Sequence, residues 1–223
     1  MKFTKLSLIA AVAVSAITTT AMAELEVSAN VSVTNNYVWR GMTQSNNAAA
    51  VQGGLDLGMG GFYLGTWLSN VDFSGGAGAG DTEVDGYVGY AGEIEGFGYD
   101  LGYIKYGYLD VPMGNFDEAY LGLSYDFGVA SVGATYSMGM DDFRGTTTEV
   151  PDYIAVEASI PVMQDYSLDL GYGDYDTFGT NYSAGVSKSF DKVDFSLTYS
   201  VFEHETTSSS DENNLIVSAG TSF

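Results

Sequence analysis

Beyond residue 24 the chain alternates apolar and polar residues in blocks of about ten, and the period of two recurs to the last residue. The final block shows it plainly. Leu215, Val217, Ala219, Thr221 and Phe223 form one set, and Asn214, Ile216, Ser218, Gly220 and Ser222 the other. A strand sends successive side chains to opposite faces, so each block carries a mostly apolar face and a small, polar one. Apolar faces on nearly every strand need a cover. In a soluble sandwich or barrel they would have to fill one very large interior. Turned outward to lipid they need no core at all. No segment past residue 23 approaches eighteen consecutive apolar residues, so helical spans are excluded. A closed barrel is the remaining way across a bilayer, because every backbone polar group must be paired there.

The first 23 residues have another pattern. Lys2 and Lys5 give a charged start, Leu6 to Ile17 is a short apolar run, and Ala21-Met22-Ala23 is a small-residue cleavage site. We read 1–23 as a secretory signal peptide and 24–223 as one barrel domain exported through the periplasm. The chain has no Cys, which leaves neither disulfide nor thiol chemistry. All 29 acids lie beyond residue 23, against the bases Arg40, Lys105, Arg144, Lys188 and Lys192. That balance excludes a nucleic-acid partner.

The alternation marks about twelve strands, the first at about 25–40, the second at 50–59, the third at 62–73 and the last at the chain's end. Longer polar links fall near 41–49, 74–81, 110–116, 139–150, 174–180 and 203–213, and short ones near 60–61, 94–96, 128, 161–165 and 191–192. Long and short links alternate, which puts both ends on the short-turn side. The fold class is therefore an all-β, antiparallel, up-and-down transmembrane barrel of the outer-membrane type. Two strands resist a clean phase. In the third, Tyr63, Trp67, Val71 and Phe73 are placed outward so that Thr66, Asn70 and Asp72 face in. In the fifth, Lys105 falls in the outward phase, so either it snorkels to the headgroups or a bulge shifts the register. Outward aromatic girdles are expected near the short turns (Phe97, Tyr99, Phe127, Tyr166, Phe190, Phe195, Phe223). A second girdle is expected near the loops (Trp39, Trp67, Tyr136, Tyr172, Tyr199).

The same phase points Glu26, Asp56, Asp100, Asp126, Glu157, Asp169 and Asp194 into the lumen near the short-turn end, and Glu83, Asp85 and Glu118 near the loop end. Arg40 is the chief inward base. Rings of carboxylates attract cations and repel anions, and a narrow low-dielectric tube concentrates that field. Many other inward positions are Gly, Ser or Thr, which leave room for water. The reading is a porin-like channel for small hydrophilic solutes or cations, without cofactor. Its partners are outer-membrane lipid, lipopolysaccharide and the outer-membrane assembly machinery. A non-conducting structural or adhesive barrel is the main alternative. A barrel hydrolase needs a Ser–His pair, and this chain offers one His, His204, with no Gly-x-Ser-x-Gly elbow. The acid pairs Asp141–Asp142, Asp174–Asp176 and Asp211–Glu212 lack the spacing of a calcium loop.

Several stretches carry a family resemblance. Tyr37-Val38-Trp39-Arg40-Gly41, Thr66-Trp67-Leu68-Ser69-Asn70-Val71-Asp72, Glu83-Val84-Asp85 with Gly89-Tyr90, and Gly185-Val186-Ser187-Lys188-Ser189-Phe190 resemble the TorF-type porin family. The resemblance runs over nearly all of 24–223. It implies a Gram-negative outer-membrane protein that forms a pore, and it implies no particular solute.

Outer-membrane barrels commonly close on a strand ending in an aromatic, which the assembly machinery reads. Deleting Phe223 is expected to lower the amount of folded barrel in the outer membrane while leaving its stability in detergent nearly intact. Heat-modifiable mobility on gels measures the folded fraction, and unchanged membrane levels would contradict the assignment.

Overall fold

The computed structural model describes residues 24–73, 81–109, 115–140, 142, 148–163, 165–206 and 211–223. The expected signal peptide at 1–23, Asp141 and Arg144 lie outside the described residues. Twelve strands close one barrel: β1 (Glu26–Thr34), β4 (Ala50–Met59), β5 (Phe62–Val71), β6 (Asp81–Ile94), β7 (Phe97–Tyr106), β8 (Phe116–Asp126), β9 (Ser131–Gly139), β10 (Tyr153–Met163), β11 (Tyr166–Tyr175), β12 (Gly179–Phe190), β13 (Val193–His204) and β14 (Glu212–Ser222). A two-residue-per-arm hairpin, β2 (Val38–Trp39) with β3 (Met42–Thr43), lies between β1 and β4. Every barrel strand pairs antiparallel with its sequence neighbours, and β14 returns to β1. The short turns are built on left-handed residues: Gly60 and Gly61 (φ 61° and 91°), Glu95 and Gly96 (53° and 87°), and Asp191 (55°). Glycine adopts that backbone without steric cost, which is why the chain can reverse in two residues.

The barrel is apolar outside. Leu64, Leu101, Leu123, Leu197, Leu215 and Val217 are all exposed, Leu101 by 60 %. Burial alternates with them along each strand. A water-soluble protein of this size has no use for such a belt, whereas a bilayer core requires one. Phe97, Phe127, Phe190, Phe195 and Phe223 stand outward at the short-turn rim, and Tyr136, Tyr172 and Tyr199 outward nearer the loops. Lys105 also faces out. Its Nζ lies 2.7 Å from Asp117 Oδ1, and Tyr103 donates to Asp117 Oδ2 at 2.6 Å. No bulge is needed: β7 keeps register with β8 through Lys105↔Asp117.

Two expectations are corrected. The first strand does not run to residue 40. It stops at Thr34, and the next residues turn into the barrel, so Trp39 packs inside rather than against lipid. The third strand has the opposite phase. Phe62, Leu64 and Leu68 face out, while Tyr63, Trp67 and Val71 face in and pack in the buried cluster. That phase turns Thr66 and Asn70 outward, and both are satisfied locally. Thr66 Oγ1 donates to Asp85 O at 2.7 Å. Asn70 accepts from Val51 N at 2.8 Å and donates to Ala49 O at 3.1 Å. On the other side of the shortened β1, Asn35 Nδ2 donates to Leu215 O at 2.9 Å and Asn35 Oδ1 accepts from Val217 N at 2.7 Å. Asn35 thus satisfies the edge of β14 that the shortened β1 leaves uncovered, and Asn70 the edge of β4 just beyond the last β4–β5 pair, Gln52↔Ser69.

Many inward glycines do not leave open space. A Cβ on Gly65 would meet the Tyr87 ring at 2.5 Å and Asp56 Oδ1 at 2.6 Å. Gly89 and Gly102 lie under Tyr63 and Tyr120, and Gly173 under Tyr153. Each tyrosine crosses a neighbouring strand at the one place without a side chain. The inward Gly65, Gly89 and Gly102 of β5, β6 and β7 are therefore filled by rings.

Both tryptophans of the chain are inside. Reconstitution into bilayers with brominated acyl chains is expected to leave the tryptophan emission nearly unchanged. Strong quenching would return Trp39 or Trp67 to the lipid face.

Candidate functional site

The chain between β1 and β4 enters the lumen and crosses it. Asn36 holds its base. The Asn36 amide donates to Asn47 Oδ1 and Asn214 Oδ1 at 2.9 Å each, and its carbonyl accepts from Thr43 Oγ1 at 2.6 Å. Ser45 Oγ accepts from Tyr37 N at 2.9 Å, and Thr43 N donates to Glu212 Oε2 at 2.8 Å. The β2–β3 turn is Arg40-Gly41, both left-handed (φ 49° and 87°). A Cβ on Gly41 would sit 2.8 Å from Asn181 Cβ and 3.0 Å from Phe202 Cβ, so only glycine lets the tip press on β12 and β13.

The tip delivers Arg40 to the far wall. Its Nη1 and Nη2 donate to Glu118 Oε1 and Oε2, both at 2.7 Å, a two-pronged match between flat groups. Side-chain exposure is 7 % for Arg40 and 1 % for Glu118. The guanidinium carbon lies 4.2 Å from the Trp39 ring centroid, 4.0 Å from that of Tyr153 and 4.9 Å from that of Tyr175. Trp39 itself packs on Tyr106, Phe116 and Tyr175 at 5.6, 6.0 and 6.0 Å. Burial opposes the positive charge, but the Glu118 carboxylate outweighs it and holds the Arg40 pKa above its ordinary value.

The remaining carboxylates fall into three settings. On the β4–β8 wall they meet tyrosines. Tyr87 donates to Asp56 Oδ1 and Tyr63 to Asp100 Oδ1, each at 2.5 Å, and Tyr120 shares the Tyr63 hydroxyl at 2.5 Å. Higher up, Tyr108 donates to Glu83 Oε1 at 3.1 Å with Tyr37 beside the same carboxylate, and Asp85 receives Gly107 N at 3.4 Å. On the opposite wall Asp169 accepts from Ser159 at 2.7 Å and Ser187 at 2.6 Å, and Glu157 is near enough to feel its charge. The third group stays at the short-turn rim. Glu26 is exposed, Asp126 accepts from Gly128 N at 2.7 Å, and Asp194 accepts from Ser189 at 2.5 Å.

The phase of β8 turns Tyr120 inward, as the structure has it, but sequence reading missed Tyr63, Tyr87, Tyr153 and Tyr175 as interior partners, and it placed Trp39 outward. One signal was available for Trp39. Asn35 breaks the apolar phase of Val27, Ala29, Val31 and Val33, which marks the end of the strand. His204 ends β13 with its ring beside Phe178 and Phe202, and its Nδ1 accepts from Thr206 N at 3.3 Å. Among the described residues no group of three or more His, Asp or Glu could hold a metal ion.

Residues 18–218 match the sequence profile of a family described as bacterial protein of unknown function (Gcw_chp). No curated protein matches the chain. Among solved structures, the KdgM porin is similar with a TM-score of 0.61 at 11% identity, over 88% of this chain and 99% of that one. It has also been solved in complex with disordered oligogalacturonate. The NanC porin gives 0.51 at 11% identity, over 88% and 98% of the two chains. Outer membrane phospholipase A from Escherichia coli gives 0.55 at 11% identity, over 87% and 89%. At such identities the likeness speaks for the fold alone.

Removing one partner of a buried ion pair leaves the other charge uncompensated, at a cost of about 3–5 kcal/mol. Arg40→Ala is expected to destabilise the barrel by that order in urea unfolding, with Arg40→Ala/Glu118→Gln recovering part of the loss. A single variant within about 0.5 kcal/mol of the native chain would show that the pair is not buried in solution.

Proposed function

The chain belongs to the Gcw_chp family, and for this member we propose an outer-membrane channel that passes small hydrophilic solutes and prefers cations. The observation that carries this reading is the charge of the lumen. Asp56, Glu83, Asp85, Asp100, Glu157 and Asp169 face the interior without an ion pair among the described residues. The described bridges are Arg40–Glu118 inside and Lys105–Asp117 outside. Lys188 is also outside, its Nζ 4.4 Å from the Tyr166 ring centroid. On the open side of the lumen a solute meets Glu157 and Asp169, which no base among the described residues offsets, and such a surface draws cations and rejects anions. The bound oligogalacturonate of the KdgM porin is a polyanion, and it is the wrong charge for this lumen.

The route follows the wall from β9 to β14. Its inward residues below the loop are small: Ser131, Gly133, Thr135, Ser183, Gly185, Ser196 and Ser218, with Glu157 and Asp169 among them. The likeness to small porins, the apolar belt and the resemblance to the TorF-type porin family all support an outer-membrane location. They likewise support contact with lipid and lipopolysaccharide, and insertion by the assembly machinery. One observation favours a second reading, a sealed barrel of structural or adhesive role: the segment from Tyr37 to Thr43 crosses the loop-side half of the lumen and is pinned on its far side.

Planar bilayers separate the two. In a KCl gradient the native barrel is expected to show a cation-selective reversal potential. Glu157→Gln/Asp169→Asn is expected to reduce the potassium-to-chloride permeability ratio severalfold, with a smaller effect at high salt, since screening acts over about 10 Å at 0.1 M. Anion selectivity, or selectivity indifferent to the double change, would reject the lumen assignment. Absence of conductance would favour the sealed barrel.

A further inference from the structure

The far wall of the lumen is a receptor for a guanidinium group, and Arg40 is its built-in occupant. The geometry points to this site as a binding site for solutes that carry an exposed alkylguanidinium, such as arginine-type amines or the arginine side chains of short basic peptides. Everything needed to hold the group, apart from the Trp39 ring, belongs to the barrel rather than to the inserted loop. Glu118 on β8 offers both oxygens in one plane at 2.7 Å. Tyr106 on β7 donates to Glu118 Oε2 at 3.4 Å and fixes the carboxylate's orientation. Tyr153 on β10 and Tyr175 on β11 present ring faces at 4.0 and 4.9 Å from the guanidinium carbon.

These parts select a flat cation. Two parallel hydrogen bonds fit a guanidinium fork and not a round ammonium, and aromatic faces hold a weakly hydrated planar ion. Glu118 is the member of the lumen's acids that takes a cation in both oxygens, and its depth keeps water from competing. Arg40 arrives on a loop, so it is a tethered ligand with an effective concentration in the millimolar range. A free alkylguanidinium competes with that tether. When it wins, Arg40 and Trp39 lose their seat and the tip of the loop is released from β8, β10 and β11. The inference deepens the channel reading by naming a solute class for the same lumen. It rests on that reading only for the route by which the solute arrives.

Arg40→Ala removes from the chain the equivalent of ethylguanidinium, so that ion is the probe. Isothermal titration of ethylguanidinium into the Arg40→Ala barrel in detergent is expected to show saturable one-to-one binding. Affinity should be at least about tenfold weaker in the native barrel, where the tether competes. It should also be at least about tenfold weaker in Arg40→Ala/Glu118→Gln, and about tenfold weaker for ethylammonium. No saturable binding, equal affinity in the native barrel, or indifference to Glu118→Gln overturns the assignment. If Arg40→Ala refolds poorly, graded ethylguanidinium during refolding is the same measurement, because a ligand bound only by the folded barrel raises its yield. A yield that does not rise with ethylguanidinium likewise overturns it. Titration in detergent needs no ion flux, so binding without conductance retires the channel reading and leaves this one standing.

Discussion

A backbone amide left unpaired in hydrocarbon costs several kcal/mol, and that single requirement shapes this protein. It forces the sheet to close, so β14 must return to β1 and the strand number must allow antiparallel closure. The closure then decides where each side chain goes. With the backbone satisfied within the wall, the apolar phase can be given to lipid and the polar phase to the interior. The interior is thus a place where polar groups collect, the reverse of a soluble fold.

A polar interior has its own demands. Buried carboxylates need donors, and the chain has few bases to offer them. Tyrosine meets most of the need on one wall. Its ring fills the volume above a glycine of the next strand while its hydroxyl reaches an acid beyond, as Tyr87 does over Gly65 to Asp56 and Tyr63 over Gly89 to Asp100. The opposite wall uses serine instead and stays thin, with Asp169 held between Ser159 and Ser187. The lumen is therefore lopsided, solid along β4 to β8 and lined by small groups along β9 to β14. Arg40 and Glu118 lie where the solid wall ends.

Most of the wall was legible in the sequence, because period-two alternation is a local signal and lipid exposure makes it strict. The strand number, the short turns and the outward aromatics such as Phe97 and Phe195 follow from it. β5 shows where it fails. Both phases of Phe62 to Val71 contain apolar residues, and Tyr and Trp are amphipathic rings that suit either face. What decides is the acid two strands away, Asp100, which asks for the Tyr63 hydroxyl; alternation along one strand carries no such information. The inserted loop was hidden for the same reason. Trp39 keeps the outward parity of Val33 by accident of counting, although the strand has already ended at Thr34. The inward direction of Arg40 was read correctly from phase, but its partner Glu118 lies 78 residues away and no local pattern joins them.

The asparagine seals at the rim give the loop a mechanical property. Asn35 closes the edge of β14 beyond the end of β1, and Asn70 closes the β5-facing edge of β4. Both do so with side chains rooted at or outside the base of the insertion, well away from its tip at Arg40-Gly41. The insertion is a door with its hinge built into the frame and its latch on the opposite jamb. Swinging the tip leaves these rim seals in place, so opening the latch gives up the Arg40–Glu118 contact without unzipping the wall that carries it.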